Sequence, residues 1–166
     1  MLVGNQALKD AWHPARRRMY VILLLTALAV VGLDHLTKWL VVQHLPLGGA
    51  IGADAPVSIH HVENRGAAFG FGPQFQWLYL IVAAVVSIYI LAAGHRFGSG
   101  WLRLMLLGGI LGGALSNGVD RLVQGYVVDF VDLHWWPVFN VADSAIVLGV
   151  IGVVVLFRPH AAHEAS

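Results

Sequence analysis

The sequence predicts an integral membrane protein, mainly α-helical, with four transmembrane helices and a small extracytoplasmic β-rich loop between the first two. Three observations carry this. The 166 residues are 58% hydrophobic and 11% charged, with a mean hydropathy of +0.72, whereas soluble domains carry about a quarter charged residues. Four long apolar stretches recur along the chain, and the basic residues fall mostly on one side of them.

A helix needs about 20 mostly apolar residues to cross roughly 30 Å of hydrocarbon. The stretches that approach this run from Met19 to Val42, Trp77 to Gly94, Leu102 to Gly118 and Val138 to Phe157. Residues 1–166 therefore read as one membrane domain with outer loops at 46–75 and 119–137. "ARRRM" before the first stretch, with Ala27-Leu28-Ala29 inside it, would suit a cleavable signal peptide. The apolar run continues to Leu33, however, and three more follow, so an uncleaved first span is expected. Lys9, Arg16, Arg17, Arg18, Arg96, Arg103 and Arg158 lie at the termini or the second linker, against Lys38, Arg65 and Arg121 on the other face. Cytoplasmic ends are enriched in Lys and Arg, which puts both termini inside.

The first outer loop is too long for a bare turn. Its "PVSIHHV" alternates like a strand, and "GAAFGFGP" reads as a glycine-punctuated bend. The second outer loop, "RLVQGYVVDFVDLHWWPVF", sets Trp135 and Trp136 where an interfacial aromatic belt would lie. In the third stretch Gly108 and Gly112, like Gly109 and Gly113, are four apart on one helix face, a spacing that lets helices approach closely and reads as packing, not as a nucleotide loop. The chain has no cysteine, which removes disulfides, thiol catalysis, Cys-ligated zinc and lipidation at cysteine. A formal net charge of +1 without a basic tract gives no sign of a nucleic-acid partner.

Counting about 20 residues outward from Arg158 leaves Asp143 about 7 Å inside the outer boundary at 1.5 Å per residue. Asp34, about 24 Å from Arg18 by the same rise, reaches a similar depth. Asn117, Asp120, Arg121 and Asn140 gather at that end too. An acid inside a membrane is by default a functional hypothesis. Asp34 has Lys38 at i+4 and Asp120 adjoins Arg121, so both have expected partners. Asp129 and Asp143 have none in sequence, and Asp132 competes from a position further toward solvent. Two carboxyls in a poorly hydrated site share one proton. This is the chemistry of an aspartic hydrolase: the ionised member takes a proton from the attacking water, and the protonated one serves the carbonyl oxygen and then the leaving amine. Asn140 and Asp143 also fit a helix start, as N-cap and first-turn acid, so Asp143 is expected charged and Asp129 protonated. His60, His61 and Glu63 lack HExxH and a third ligand at metal spacing, so they read as loop residues and no metal is expected.

"DHLTK" (34–38), "NRGAAFG" (64–70), "GGALSNGVDR" (112–121), "VVDFVD" (127–132) and "FNVAD" (139–143) together resemble the successive motifs of bacterial lipoprotein signal peptidase, signal peptidase II. The resemblance implies an intramembrane aspartic endopeptidase without cofactor or metal, acting as a monomer in the bacterial cytoplasmic (inner) membrane with its site near the periplasmic face. Its partners would be membrane lipid and a prolipoprotein whose cysteine carries a diacylglyceryl group. By the same resemblance Asp129 and Asp143 are the catalytic pair. Asn64, Asn117, Arg121 and Asn140 position substrate or the pair, and Asp34, Lys38, Asp120 and Gly66 support the site. Ser116 departs from the pattern, standing where the family more often has glycine. Three other readings compete. Ser116 and Lys38 could form a Ser/Lys protease. An ion translocator would need a polar path through the inner halves, which hold nothing more polar than Thr26 and Ser87 apart from arginines able to snorkel. A purely structural tetraspan subunit leaves the clustered acids and asparagines unexplained.

Overall fold

Each apolar stretch is helical in the computed structural model, which describes residues 14–66, 76–97 and 100–156. The helices are α1 (Pro14–His44), α2 (Gln76–Ala93, followed by a 3-10 turn at Gly94–Phe97), α3 (Trp101–Val123) and α4 (Val141–Leu156). By length and composition α1 and α3 can cross a membrane; the apolar parts of α2 and α4 are shorter. Pro14 suits the first position of α1, where its missing N–H would have had no helical partner. Three ends differ from the sequence reading, the first being α1, which begins at Pro14 and not at Met19. α3 runs on past Gly118 to Val123, so Asn117, Asp120 and Arg121 project from a helix. α4 begins at Val141 instead of 138, because Phe139 is engaged by Val131 in an antiparallel bridge and Asn140 caps the helix.

α3 is the central helix and packs on α1, α2 and α4. Its glycines make that possible. A Cβ at Gly112 would lie 2.6 Å from the Ala27 carbonyl oxygen of α1, and one at Gly113 would collide with the Ala142 carbonyl oxygen of α4. The two small-residue rows therefore seat two different neighbours, which is the packing role expected of them. Leu23 and Ala27 of α1, Ile90 of α2 and Leu107, Ile110 and Leu111 of α3 form the core beneath. The outward faces are as apolar as the core: Leu25, Leu28, Ile88 and Leu148 are each more than 60% exposed. Contiguous apolar surface on this scale marks an interaction surface, not one suited to water.

Three antiparallel strands, β1 (Ala50–Ile51), β2 (Ser58–Asn64) and β3 (Val127–Asp132), form a sheet in that order. The strand expected in "PVSIHHV" is β2, displaced two residues along. A correction concerns the sheet's extent: it is not confined to the loop between the first two helices, since "VVDFVD", between α3 and α4, supplies β3. Val62 pairs with Asp129 and Asn64 with Val127. Val127 to Phe130 are all buried, so the segment lacks the polar alternation that identifies a strand with one wet face. Val128 and Phe130 pack on Val41 near the C-terminal end of α1. The bend at 67–73 and the terminal residues Lys9, Phe157 and Arg158 lie outside the described residues.

Candidate active site

Between the two apolar clusters lies a layer of buried polar side chains, and α4 starts inside it. Asn140 Oδ1 accepts the Asp143 N–H at 2.9 Å while the Asn140 N–H donates to Asp143 Oδ2 at 3.2 Å. This reciprocal arrangement is a capping box with aspartate in the acid position. The Ala142 N–H is taken by Oδ1 of Asp34, 2.9 Å away on α1. The first turn of α4 is thus anchored by a fully buried carboxylate 108 residues earlier in the chain.

Lys38 balances that carboxylate. Its ammonium lies 2.5 Å from Asp34 Oδ2 and donates to Asp120 Oδ2 at 2.6 Å and Asn117 Oδ1 at 2.9 Å. Three donors meet three acceptors, which is the full capacity of an ammonium group. This corrects the expected pairing of Asp120: its cation is Lys38, not Arg121. The Asn117 amide then donates to Asp143 Oδ1 at 2.8 Å. Ser116 Oγ donates to Asp34 Oδ2 at 2.7 Å and stands 2.9 Å from His35 Nδ1.

Asp129 reaches the same place from β3. Asn140 Nδ2 donates to its Oδ1 at 2.7 Å and Asn64 Nδ2 to its Oδ2 at 2.9 Å. Asn64 is oriented by the Gly66 N–H, which donates to its Oδ1 at 2.9 Å. Gly66 has φ of 101°, a region that favours glycine. Burial pushes the Asp129 carboxyl up to about 7, with the nearby Asp143 charge adding to the effect and the asparagine hydrogen bonds opposing it.

A cavity of about 530 Å³ opens on these groups. Asn64, Asn117, Arg121, Asp129 and Asp143 line it together with Tyr79 and Trp136, and its apolar continuation follows Val82 and Val86 of α2, Ile110 of α3 and Val150 of α4. Asn140, Asp34, Lys38, Asp120 and Gly66 are not part of the lining. Arg121 lies with its guanidinium carbon 4.8 Å from the Tyr79 ring centroid, and Nη1 donates to the Asn117 carbonyl at 3.3 Å. Asp132 is off the cavity: the His134 N–H at 2.7 Å, and then His60 at 3.2 Å, hold its carboxyl below the usual carboxylate range. His61 Nδ1 lies 3.0 Å from the Leu45 carbonyl oxygen. A wall that offers one carboxyl retaining its proton to about pH 7 beside a second carboxyl can supply an acid and a base to one bond.

Tyr79 and Trp136 were not singled out for the site by sequence reasoning. Trp136 reads as a belt residue, and nothing local in the sequence marks Tyr79, whose ring meets the Arg121 cation only once α2 and α3 pack together.

The family model for signal peptidase (SPase) II matches residues 26–158. The lipoprotein signal peptidase of Syntrophomonas wolfei is 42% identical over 130 residues, covering 78% of this chain and 87% of that protein. The lipoprotein signal peptidase of Rhodococcus jostii is 43% identical over 151 residues, covering 87% and 76%. A bacterial membrane enzyme solved by the in meso method at 1.9 Å resolution superposes with a TM-score of 0.74 at 26% identity, covering 83% of this chain and 93% of that one.

Proposed function

The chain belongs to the signal peptidase II family, and from that premise we propose that it is an aspartic endopeptidase. It cleaves signal peptides from prolipoproteins carrying a diacylglyceryl-modified cysteine, at the outer face of the bacterial cytoplasmic membrane. The observation that carries the reading is the joint attachment of Asp129 and Asp143 to Asn140. The Asn140 side-chain amide donates to one carboxyl and its backbone N–H to the other, where both line a single cavity.

In the proposed reaction Asp143 is ionised and takes a proton from a water molecule, whose oxygen attacks the scissile carbonyl carbon. Asp129 gives its proton to the carbonyl oxygen. Collapse of the tetrahedral intermediate breaks the C–N bond as the proton held by Asp143 passes to the leaving amine and a hydroxyl of the intermediate returns its proton to Asp129, which leaves a carboxylic acid, an amine and the pair in its starting state. Two features support the division of roles. Asp143 lies in the first turn of α4, where the positive end of the helix dipole favours a carboxylate, whereas Asp129 lies on a strand. Asp129 holds its proton to about pH 7.

All four helices span the membrane in this reading, with both termini cytoplasmic and a single chain forming the site. The apolar part of the cavity, between α2 and α4 on the surface of α3, supports sideways entry of a lipid-anchored substrate from the bilayer. A Ser/Lys mechanism is disfavoured, because the Ser116 hydroxyl is committed to Asp34 and neither Ser116 nor Lys38 lines the cavity.

The test is cleavage of a lipidated model peptide by the purified full chain. Asp129→Asn and Asp143→Asn should each lose at least about 100-fold in rate while remaining folded, the range general acid–base groups supply, whereas Ser116→Gly should retain cleavage. Normal processing by either Asn variant would overturn the proposal.

A further inference from the structure

Tyr79, at the start of α2, stands between two parts of the site that arrive from distant positions in the chain. We propose that Tyr79 is a positioning residue that holds the Arg121 guanidinium at the cavity wall beside Asp129 and Asp143, an inference that rests on the endopeptidase reading above.

Arg121 comes from the last turn of α3 on a long side chain with several rotatable bonds, so its location depends on what its head group meets. It meets the face of Tyr79, 4.8 Å from guanidinium carbon to ring centroid, inside the roughly 6 Å range of a cation–π contact. The Asn117 carbonyl, 3.3 Å from Nη1, holds it from the α3 side. From that position its positive charge acts on both Asp143 and Asp129. The opposite end of the tyrosine serves a separate contact: the hydroxyl is 3.5 Å from the Gly66 carbonyl oxygen, at the outer edge of hydrogen-bond range. Gly66 in turn orients Asn64 on Asp129. The ring and the hydroxyl can therefore be tested apart. The ring carries the inference, because its contact is well inside range and involves a full charge.

An arginine held in this way acts on charge that develops during the reaction, so its displacement lowers kcat more than it changes KM. Tyr79→Leu should reduce kcat/KM about 3- to 30-fold, the span expected for a lost cation–π contact in a partly dry site, with the loss in kcat. Tyr79→Trp, which restores an aromatic face, should recover most of it, and Tyr79→Phe, which keeps the ring, should resemble the Trp variant. In an Arg121→Gln background Tyr79→Leu should have no further effect, since both changes then remove one interaction.

The experiment uses the full chain in detergent micelles with a lipidated peptide, alongside 15N NMR of the arginine Nε–H signals. A ring-current shift of the Arg121 signal should be present in the parent protein and in Tyr79→Trp and absent in Tyr79→Leu. Parent-like kcat in Tyr79→Leu, full additivity with Arg121→Gln, or an Arg121 signal indifferent to the ring would each overturn the inference. If the parent protein does not cleave the peptide, the endopeptidase reading fails, and the NMR shift still decides whether Tyr79 holds the arginine.

Discussion

Lys38 donates to Oδ1 of Asn117, and this 2.9 Å contact decides which way the Asn117 amide points. An ammonium group can only donate, so the carbonyl end of the amide must face it and the NH2 end is left to face Asp143, at 2.8 Å. Through one neutral side chain, a lysine on α1 determines that the acid on α4 meets a donor.

Removing that lysine should be costly to the fold before it is costly to chemistry. Lys38→Met leaves Asp34 and Asp120 buried without their shared cation, and uncompensated buried charge typically destabilises by about 3–5 kcal/mol. Thermal unfolding in detergent should show a large drop. Lys38→Met combined with Asp120→Asn should recover part of it, and equal melting of all three proteins would contradict the geometry.

Asp129 should set the alkaline limit of the proposed activity. Its carboxyl holds a proton up to about pH 7, and the proposed reaction needs that proton. Raising the pH through this value removes the acid form, so kcat/KM should fall about tenfold per unit above it. A rate profile on the lipidated peptide that stays flat to pH 9 would remove Asp129 from the acid's role.

The same raised value makes a statement about stability. In the unfolded chain the carboxyl titrates near its ordinary value of 3.8, so between there and about 7 the folded state binds more protons than the unfolded one. Folding stability from this group therefore declines as pH rises through that window and levels off above it. Asp129→Asn cannot ionise and escapes the decline. Its melting temperature should gain on that of the parent protein from pH 4 to pH 7, and a difference that shrinks over the same range would show the sign to be reversed.

What was legible in the sequence follows from what acts locally. Asp129 and Asp143 stood out because each lacks a basic neighbour, and folding brings both to one cavity. Asp34 with Lys38 was readable because positions four apart share a helix face. Adjacency pairs Asp120 with Arg121, yet consecutive residues on a helix point in different directions, and the cation in contact with Asp120 lies 82 residues away. β3 was hidden for a different reason: a strand buried on both sides offers no alternation, and its pairing with β2 joins positions some 70 residues apart. The role of Tyr79 depends wholly on a partner from another helix.

The glycines of α3 allow the link between packing and chemistry to be tested with one methyl group. A Cβ at Gly113 would collide with the Ala142 carbonyl and press on Ile146, and Ala142 is the residue before Asp143. A Cβ at Gly109 would rest 3.6 Å from the Ala145 carbonyl oxygen, an ordinary contact on the same helix pair. Gly113→Ala should therefore destabilise by about 1–3 kcal/mol as an overpacked contact, and it should lower kcat as well, because relief requires the first turn of α4 to shift. Gly109→Ala should stay close to the parent protein in both melting temperature and rate. Matched behaviour of the two variants would mean that the close approach of α3 and α4 at Ala142 does not hold Asp143 in place.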